Sequence, residues 1–153
     1  MRIVILRGHS GSGKSTYAKK LCNLLPENKK SVICSADNYF IKDGEYKFDY
    51  QKLNEAHAYC FAKFYVAVEQ RCDLIIVDNT NTRLFEISPY IMFARIKETP
   101  ADLIEVITLS CSVSLAADRN IHGVPRGSIE NMKKRFERLP SYWPEETVIY
   151  TNK

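Results

Sequence analysis

The stretch Gly8-His9-Ser10-Gly11-Ser12-Gly13-Lys14-Ser15 constrains the fold of this chain more than any other. It follows the apolar run Ile3-Val4-Ile5-Leu6 and precedes a segment of helical character that ends at Pro26. The spacing is G-x-x-x-x-G-K-[ST] between a strand and a helix. Its glycines let the backbone turn tightly, so that consecutive N–H groups point inward at phosphate oxygens. The helix N-terminus behind them adds positive potential.

The rest of the chain alternates strand and helix patterns, which predicts a parallel sheet with helices on both faces. Strands are predicted over Arg2–Arg7, Ser31–Ser35, Leu74–Val77, Leu103–Leu109 and Thr147–Tyr150. Helices are predicted over Lys14–Leu25, Asp49–Gln70, Leu84–Lys97, Ser112–Asn120 and Ser128–Leu139. In the second of these, Leu53, Ala56, Cys60, Phe64 and Ala67 recur at helical spacing. Leu74–Val77 is bare of polar residues, as a central strand buried on both faces would be.

The 153 residues carry no repeat or linker, and residues 1–153 are expected to form a single domain. No apolar run approaches the length of a membrane span, so no membrane partner is expected. Cys22, Cys34, Cys60, Cys72 and Cys111 are odd in number, and no two have the short spacing of a zinc site. They read as reduced thiols of a cytoplasmic protein. The net charge of +4 is concentrated: residues 119–138 hold six cations and two anions, and the remainder holds 16 of each sign. Such a segment suits phosphate-bearing ligands or forms a solvated helix face.

The expected nucleotide-binding residues are Gly8, His9, Ser10, Gly11, Ser12, Gly13, Lys14, Ser15 and Thr16. Lys14 can reach the β- and γ-phosphates of ATP, and the Ser15 hydroxyl can ligate Mg²⁺. Asp78 closes an apolar strand, as in a Walker B element, and is the second expected Mg²⁺ residue. Asp37 follows the second strand, at the sheet edge where ligands bind. It can act as general base toward a hydroxyl or cap a following turn. Arg119 and Arg126 flank a short connector containing Gly123 and Pro125, which reads as a lid. Both are candidates to clamp phosphates beside Lys14 and Asp37 as catalytic residues. Tyr39, Phe40, Asn79, Asn81 and His122 complete the expected substrate contacts; Asn81 can instead cap the next helix. Phe40, Tyr46, Phe48 and Tyr50 can stack on a base or pack on one another.

Together these residues resemble the polynucleotide-kinase-like P-loop kinases. The more specific elements are Asp37-Asn38-Tyr39-Phe40, Ala56-His57 with Cys60, Val77-Asp78-Asn79-Thr80-Asn81, and Arg119-Asn120 with His122-Gly123-Val124-Pro125. They look closest to the kinase-like domain of some vertebrate ubiquitin-ligase-binding proteins, with phage-type polynucleotide 5′-hydroxyl kinases as the second group. The resemblance implies a three-layer P-loop kinase fold whose five-stranded parallel sheet has the order 2-3-1-4-5, with a short lid. It also implies an ATP–Mg²⁺ donor, Asp37 as base and Arg119 in the lid. In the phage-type enzymes an Arg that helps bind the acceptor phosphate follows the Asp by three residues; Phe40 stands there in this chain. The chain has no room for the phosphatase domain that many end-healing kinases carry. The leading expectation is transfer of the γ-phosphate to the 5′-hydroxyl of a DNA or RNA acceptor. The alternatives are a small-molecule kinase acting on a nucleoside, sugar or metabolite, a kinase of a hydroxymethylated DNA base, and a nucleotide switch without catalysis.

Overall fold

In a computed structural model describing residues 1–151, five parallel strands form the central sheet. They are β1 (Arg2–Arg7), β2 (Ser31–Cys34), β5 (Leu74–Asp78), β6 (Ile104–Ser110) and β7 (Glu146–Tyr150). A separate antiparallel hairpin supplies β3 (Ile41–Lys42) and β4 (Glu45–Tyr46). The main sheet runs β2-β5-β1-β6-β7. Counting its own strands alone, that is the expected order 2-3-1-4-5. β1 is central because both of its faces are apolar. Ile3 and Ile5 pack on one side; Val4 and Leu6 pack on the other.

The helices are α1 (Lys14–Asn23), α2 (Leu53–Glu69), α3 (Leu84–Ile96), α4 (Val113–Arg119) and α5 (Arg126–Lys134). α2 and α3 cover the Ile3/Ile5 face through Ala56, Cys60, Phe64, Ile87, Tyr90 and Ile91. α1 covers the other face through Ala18. α4 and α5 form a small separate core around Cys111, Ala116 and Ile129. All five cysteines are free thiols, and no described helix is long and apolar enough to cross a membrane.

Four local departures from the sequence expectation have physical causes. The helix expected from Asp49 begins at Leu53, because the Asp49 carboxylate accepts the Gln51 N–H and starts a 3₁₀ turn over Tyr50–Lys52. The helix expected from Ser128 begins at Arg126, directly after Pro125, whose fixed φ and missing N–H suit a helix start. It stops at Lys134 rather than Leu139, as residues past the Arg135 cap turn back to bond Thr82. The β3–β4 hairpin was not expected. Asp43 and Gly44 both have positive φ, the geometry a two-residue hairpin loop demands.

Arg7 is the largest fully buried side chain. Its Nε donates to the Asn81 carbonyl at 2.9 Å, and Nη2 donates to the Thr82 and Glu137 carbonyls at 3.3 and 2.7 Å. Nη1 pairs with Glu146 Oε1 at 2.9 Å, and the guanidinium carbon lies 4.4 Å from the centre of the Phe136 ring. Replacing one partner of a buried charge network leaves the others unsatisfied, at a cost of about 3–5 kcal/mol. Arg7→Met is therefore expected to lose roughly that much stability in urea unfolding. A loss below about 1 kcal/mol would mean that the network is not a structural anchor.

Candidate active site

The phosphate loop leaves β1 at Gly8, whose N–H bonds the Thr80 carbonyl at 3.0 Å. Gly8, Gly11 and Gly13 all have positive φ. Gly11 also passes beneath α4: a Cβ there would lie 2.0 Å from the Ala116 carbonyl oxygen, so backbone alone fits. Of the expected residues, Gly8–Gly13 form the loop at the C-terminal end of β1 and Lys14–Thr16 open α1. The His9 ring is not part of its open face. It is buried, with Nε2 3.2 Å from the Cys111 carbonyl and Nδ1 3.1 Å from that of Ser10. Only the backbone of His9 is left for a phosphate. Ser12 is buried too, and its hydroxyl has no partner among the described residues.

Lys14 folds back into the loop, where Nζ donates to the His9 carbonyl at 3.0 Å. Burial lowers its pKa, opposed first by Asp78 and then by Asp37. Asp78 is buried at the end of β5, and desolvation raises its pKa, opposed by Lys14 and by a hydrogen bond from Ser15. Two hard oxygen donors, one carrying buried negative charge, fit a divalent cation such as Mg²⁺.

Asp37 lies in the same electrostatic neighbourhood, as a charge that acts on both Lys14 and Asp78. It lies in a 3₁₀ turn, Ala36–Phe40, that follows β2. Ser35, not Asp37, caps that turn, with its hydroxyl 3.3 Å from the Asp37 nitrogen. The Asp37 carboxylate is therefore not spent on the cap, and it is half exposed. Tyr46 donates to Oδ1 at 3.3 Å, and His122 Nε2 lies 3.7 Å from Oδ2. The Tyr46 and His122 rings are 4.3 Å apart, so the hairpin and the lid meet over this carboxylate. Burial and the neighbouring Asp37 push the Tyr46 hydroxyl pKa far up, so it remains a hydrogen-bond donor.

Several expected substrate contacts are structural instead. Phe40 is buried in the core against Phe48 and Tyr46. Asn79 accepts the Ala36 N–H at 2.9 Å and donates to Cys60 Sγ at 3.3 Å, fixing the start of the Asp37 turn. Asn81 neither caps α3 nor faces a cleft. It is buried with φ of 48°, and its side chain donates to the Leu6 carbonyl at 2.7 Å. Glu86 performs the capping, accepting the Arg83 N–H at 2.8 Å. Tyr39 commits its hydroxyl to Glu55 and keeps only its ring available.

In the lid, Arg119 donates to the Thr151 carbonyl at 3.3 Å, beyond β7. Asn120 ties the turn by donating to the Val124 carbonyl and accepting the His122 N–H. The polar partner of Arg126 is Glu130, one helical turn away, and both are exposed. The structure thus brings together Lys14, Ser15, Asp37, Asp78 and His122, leaves Arg119 at the hinge and keeps Arg126 outside. Tyr46 is the site residue that sequence reasoning placed only among the stacking aromatics. The Asp43-Gly44 hairpin signal would have located it beside Ile41 and close to Asp37.

Known proteins resemble this chain in sequence or in fold. Human NEDD4-binding protein 2 is 36% identical over 140 residues, covering 91% of this chain and 8% of that protein. Uridine kinase of Borrelia garinii is 37% identical over 60 residues, or 39% of this chain and 28% of the enzyme. The chain therefore spans a small part of each of these relatives. Kti12 of Chaetomium thermophilum, solved in complex with ADP-AlF3, has the same fold, with a TM-score of 0.67 at 18% identity over 97% of this chain and 88% of Kti12. Residues 3–139 match the AAA domain family, to which this chain belongs as a P-loop kinase-like domain.

Proposed function

We propose that the chain is an ATP-dependent kinase that transfers the γ-phosphoryl group to a 5′-hydroxyl of a polynucleotide. The observation that carries this reading is the placement of Asp37. A half-exposed carboxylate, held at Oδ1 by Tyr46, lies near enough to the buried pair Lys14 and Asp78 for its charge to act on both. A nucleotide-binding switch has no use for a base there; a phosphotransferase does.

The backbone of residues 8–13 and the Lys14 ammonium hold the β- and γ-phosphates of ATP. Ser15 and Asp78 would hold Mg²⁺, which supplies neutralising charge to the phosphate oxygens. Tyr46 holds Oδ1 of Asp37, leaving Oδ2 to accept the proton of the attacking hydroxyl. The lid turn around His122 lies over the same carboxylate, where it limits access of water. Arg119 is poised at the hinge to reach phosphate oxygens once its carbonyl partner is exchanged for them.

The polynucleotide acceptor is supported by the specific motif set around Asp37, Asp78 and Arg119 and by the open position of Asp37. A nucleoside acceptor is the second reading, favoured by the partial match to uridine kinase. Labelled ATP offered with 5′-hydroxyl DNA, 5′-hydroxyl RNA, hydroxymethyluracil DNA and a nucleoside mixture separates them. Label in nucleosides alone would replace the first reading by the second. Phosphate release with no acceptor labelled would favour the switch.

Lys14→Ala is expected to abolish transfer, because it removes the charge that meets the phosphates. Asp37→Asn is expected to retain ATP binding, measured by calorimetry, while transfer falls by about 10²–10⁴-fold. Undiminished transfer by Asp37→Asn would remove this residue from the mechanism.

A further inference from the structure

We infer that the surface joining the start of α3 to the end of α5 is a docking track for single-stranded nucleic acid. The inference rests on the acceptor reading above and extends it beyond the cleft. The net positive charge of the chain lies in residues 119–138, and the active site absorbs little of it. Within that segment Lys133, Lys134, Arg135 and Arg138 are exposed, and none has a carboxylate within 4 Å among the described residues. Arg83, far away in sequence, joins them in space. Arg135 Nε donates to the Thr82 hydroxyl at 3.0 Å, and the Glu137 N–H bonds the Thr82 carbonyl at 2.8 Å. Leu84 N–H donates to Glu137 Oε2 at 2.7 Å, so Arg83 is held between the two attachments.

The two carboxylates in this region are already engaged. Glu137 accepts the Leu84 N–H; Glu86 accepts the Arg83 N–H and the Thr82 hydroxyl. Five cations without a carboxylate within 4 Å among the described residues therefore lie on the segments that carry these two backbone caps, Arg135 being tied to the Thr82 hydroxyl. Phe85 is 68% exposed beside Arg83, in the first turn of α3. Unpaired cations meet phosphates, and an exposed aromatic face accepts a base of any sequence by stacking. A folded acidic protein partner would engage the cations too, and competition by polyglutamate reads that outcome. The track is anchored on the segment that leaves β5, since the buried Thr82 lies four residues beyond Asp78 in the chain. A strand whose 5′ end enters at Asp37 would continue onto it.

The test is fluorescence anisotropy with a 3′-labelled, 5′-hydroxyl single strand of about 12 nucleotides, a length within the range such surfaces cover. Lys134→Glu/Arg138→Glu is compared with Lys19→Glu/Lys20→Glu, which makes the same change in net charge on exposed residues of α1. The first pair is expected to weaken binding about tenfold or more and to flatten its salt dependence, the second by less than about twofold. Phe85→Ala is expected to weaken it about fivefold or more, with salt dependence unchanged. Equal weakening by both charge pairs, or none by the first, overturns the inference. So does competition by polyglutamate as effective as that by unlabelled strand.

Transfer assays on the same variants keep the two readings apart. Transfer to a nucleoside 3′-monophosphate, which fills only the cleft, should be unchanged by the α5 pair, while KM for the long strand rises. If the wild type binds the strand through this surface yet never phosphorylates it, the acceptor assignment falls and the track stands. If the strand is phosphorylated and its KM ignores the α5 pair, the track falls and the acceptor assignment stands.

Discussion

The cleft exists in its observed form because Arg7 is buried at the last position of β1, immediately before the phosphate loop. Its planar donors bind carbonyls of the segment after β5 and of the segment after α5, and they pair with Glu146 of β7. Glu146 is held in turn by the Thr108 hydroxyl of β6. Three parts of the chain that diverge in sequence are therefore fixed relative to the loop by one side chain. A lysine could not do this, since its ammonium lacks the fork that reaches several acceptors in one plane. The loop can be rigid without a ligand because the edge of the sheet behind it is tied on both sides.

That rigidity has an electrostatic cost at the site itself. Lys14 is buried in a place that disfavours its charge, and Asp78 is buried in a place that disfavours the opposite charge. Each is the principal relief of the other. A nucleotide tail brings negative charge toward Lys14, and a divalent cation brings positive charge toward Asp78. Binding both together satisfies two groups that satisfy each other incompletely in their absence. Preorganised charges of this kind need not rearrange as the transition state forms, which is the main source of electrostatic catalysis.

The alternation of strands and helices, the phosphate loop and the positions of Asp37 and Asp78 were legible in the sequence because each depends on local spacing; the strand order rests only on the family resemblance. Apolar runs mark strands, and residues just past their C-terminal ends share one edge of a parallel sheet. What was not legible depends on which polar side chain the backbone consumes. Asn79 and Asn81 look like cleft residues from their position, yet both are spent on backbone groups of other strands or turns. Ser35 looks incidental, yet by capping the turn it frees Asp37 from that task. Tyr46 reaches Asp37 only because a two-residue hairpin folds it back over the turn, and His122 arrives from a lid more than 70 residues further along. Such meetings are tertiary and leave no periodic trace.

Phe40 shows how one residue alters the surroundings of the candidate base. A 3₁₀ turn brings residues three apart onto one side, so a cation at position 40 would stand next to the Asp37 carboxylate. An aromatic ring there goes into the core instead and seats Phe48 and Tyr46. The carboxylate is left with a phenol and an imidazole as its neighbours, neither of which is a fixed charge. A guanidinium paired with that carboxylate would occupy the oxygens that an attacking hydroxyl must reach. Lys133, Lys134, Arg135 and Arg138, exposed and without a carboxylate partner among the described residues, are not among the neighbours of this carboxylate and do not compete for the reacting proton.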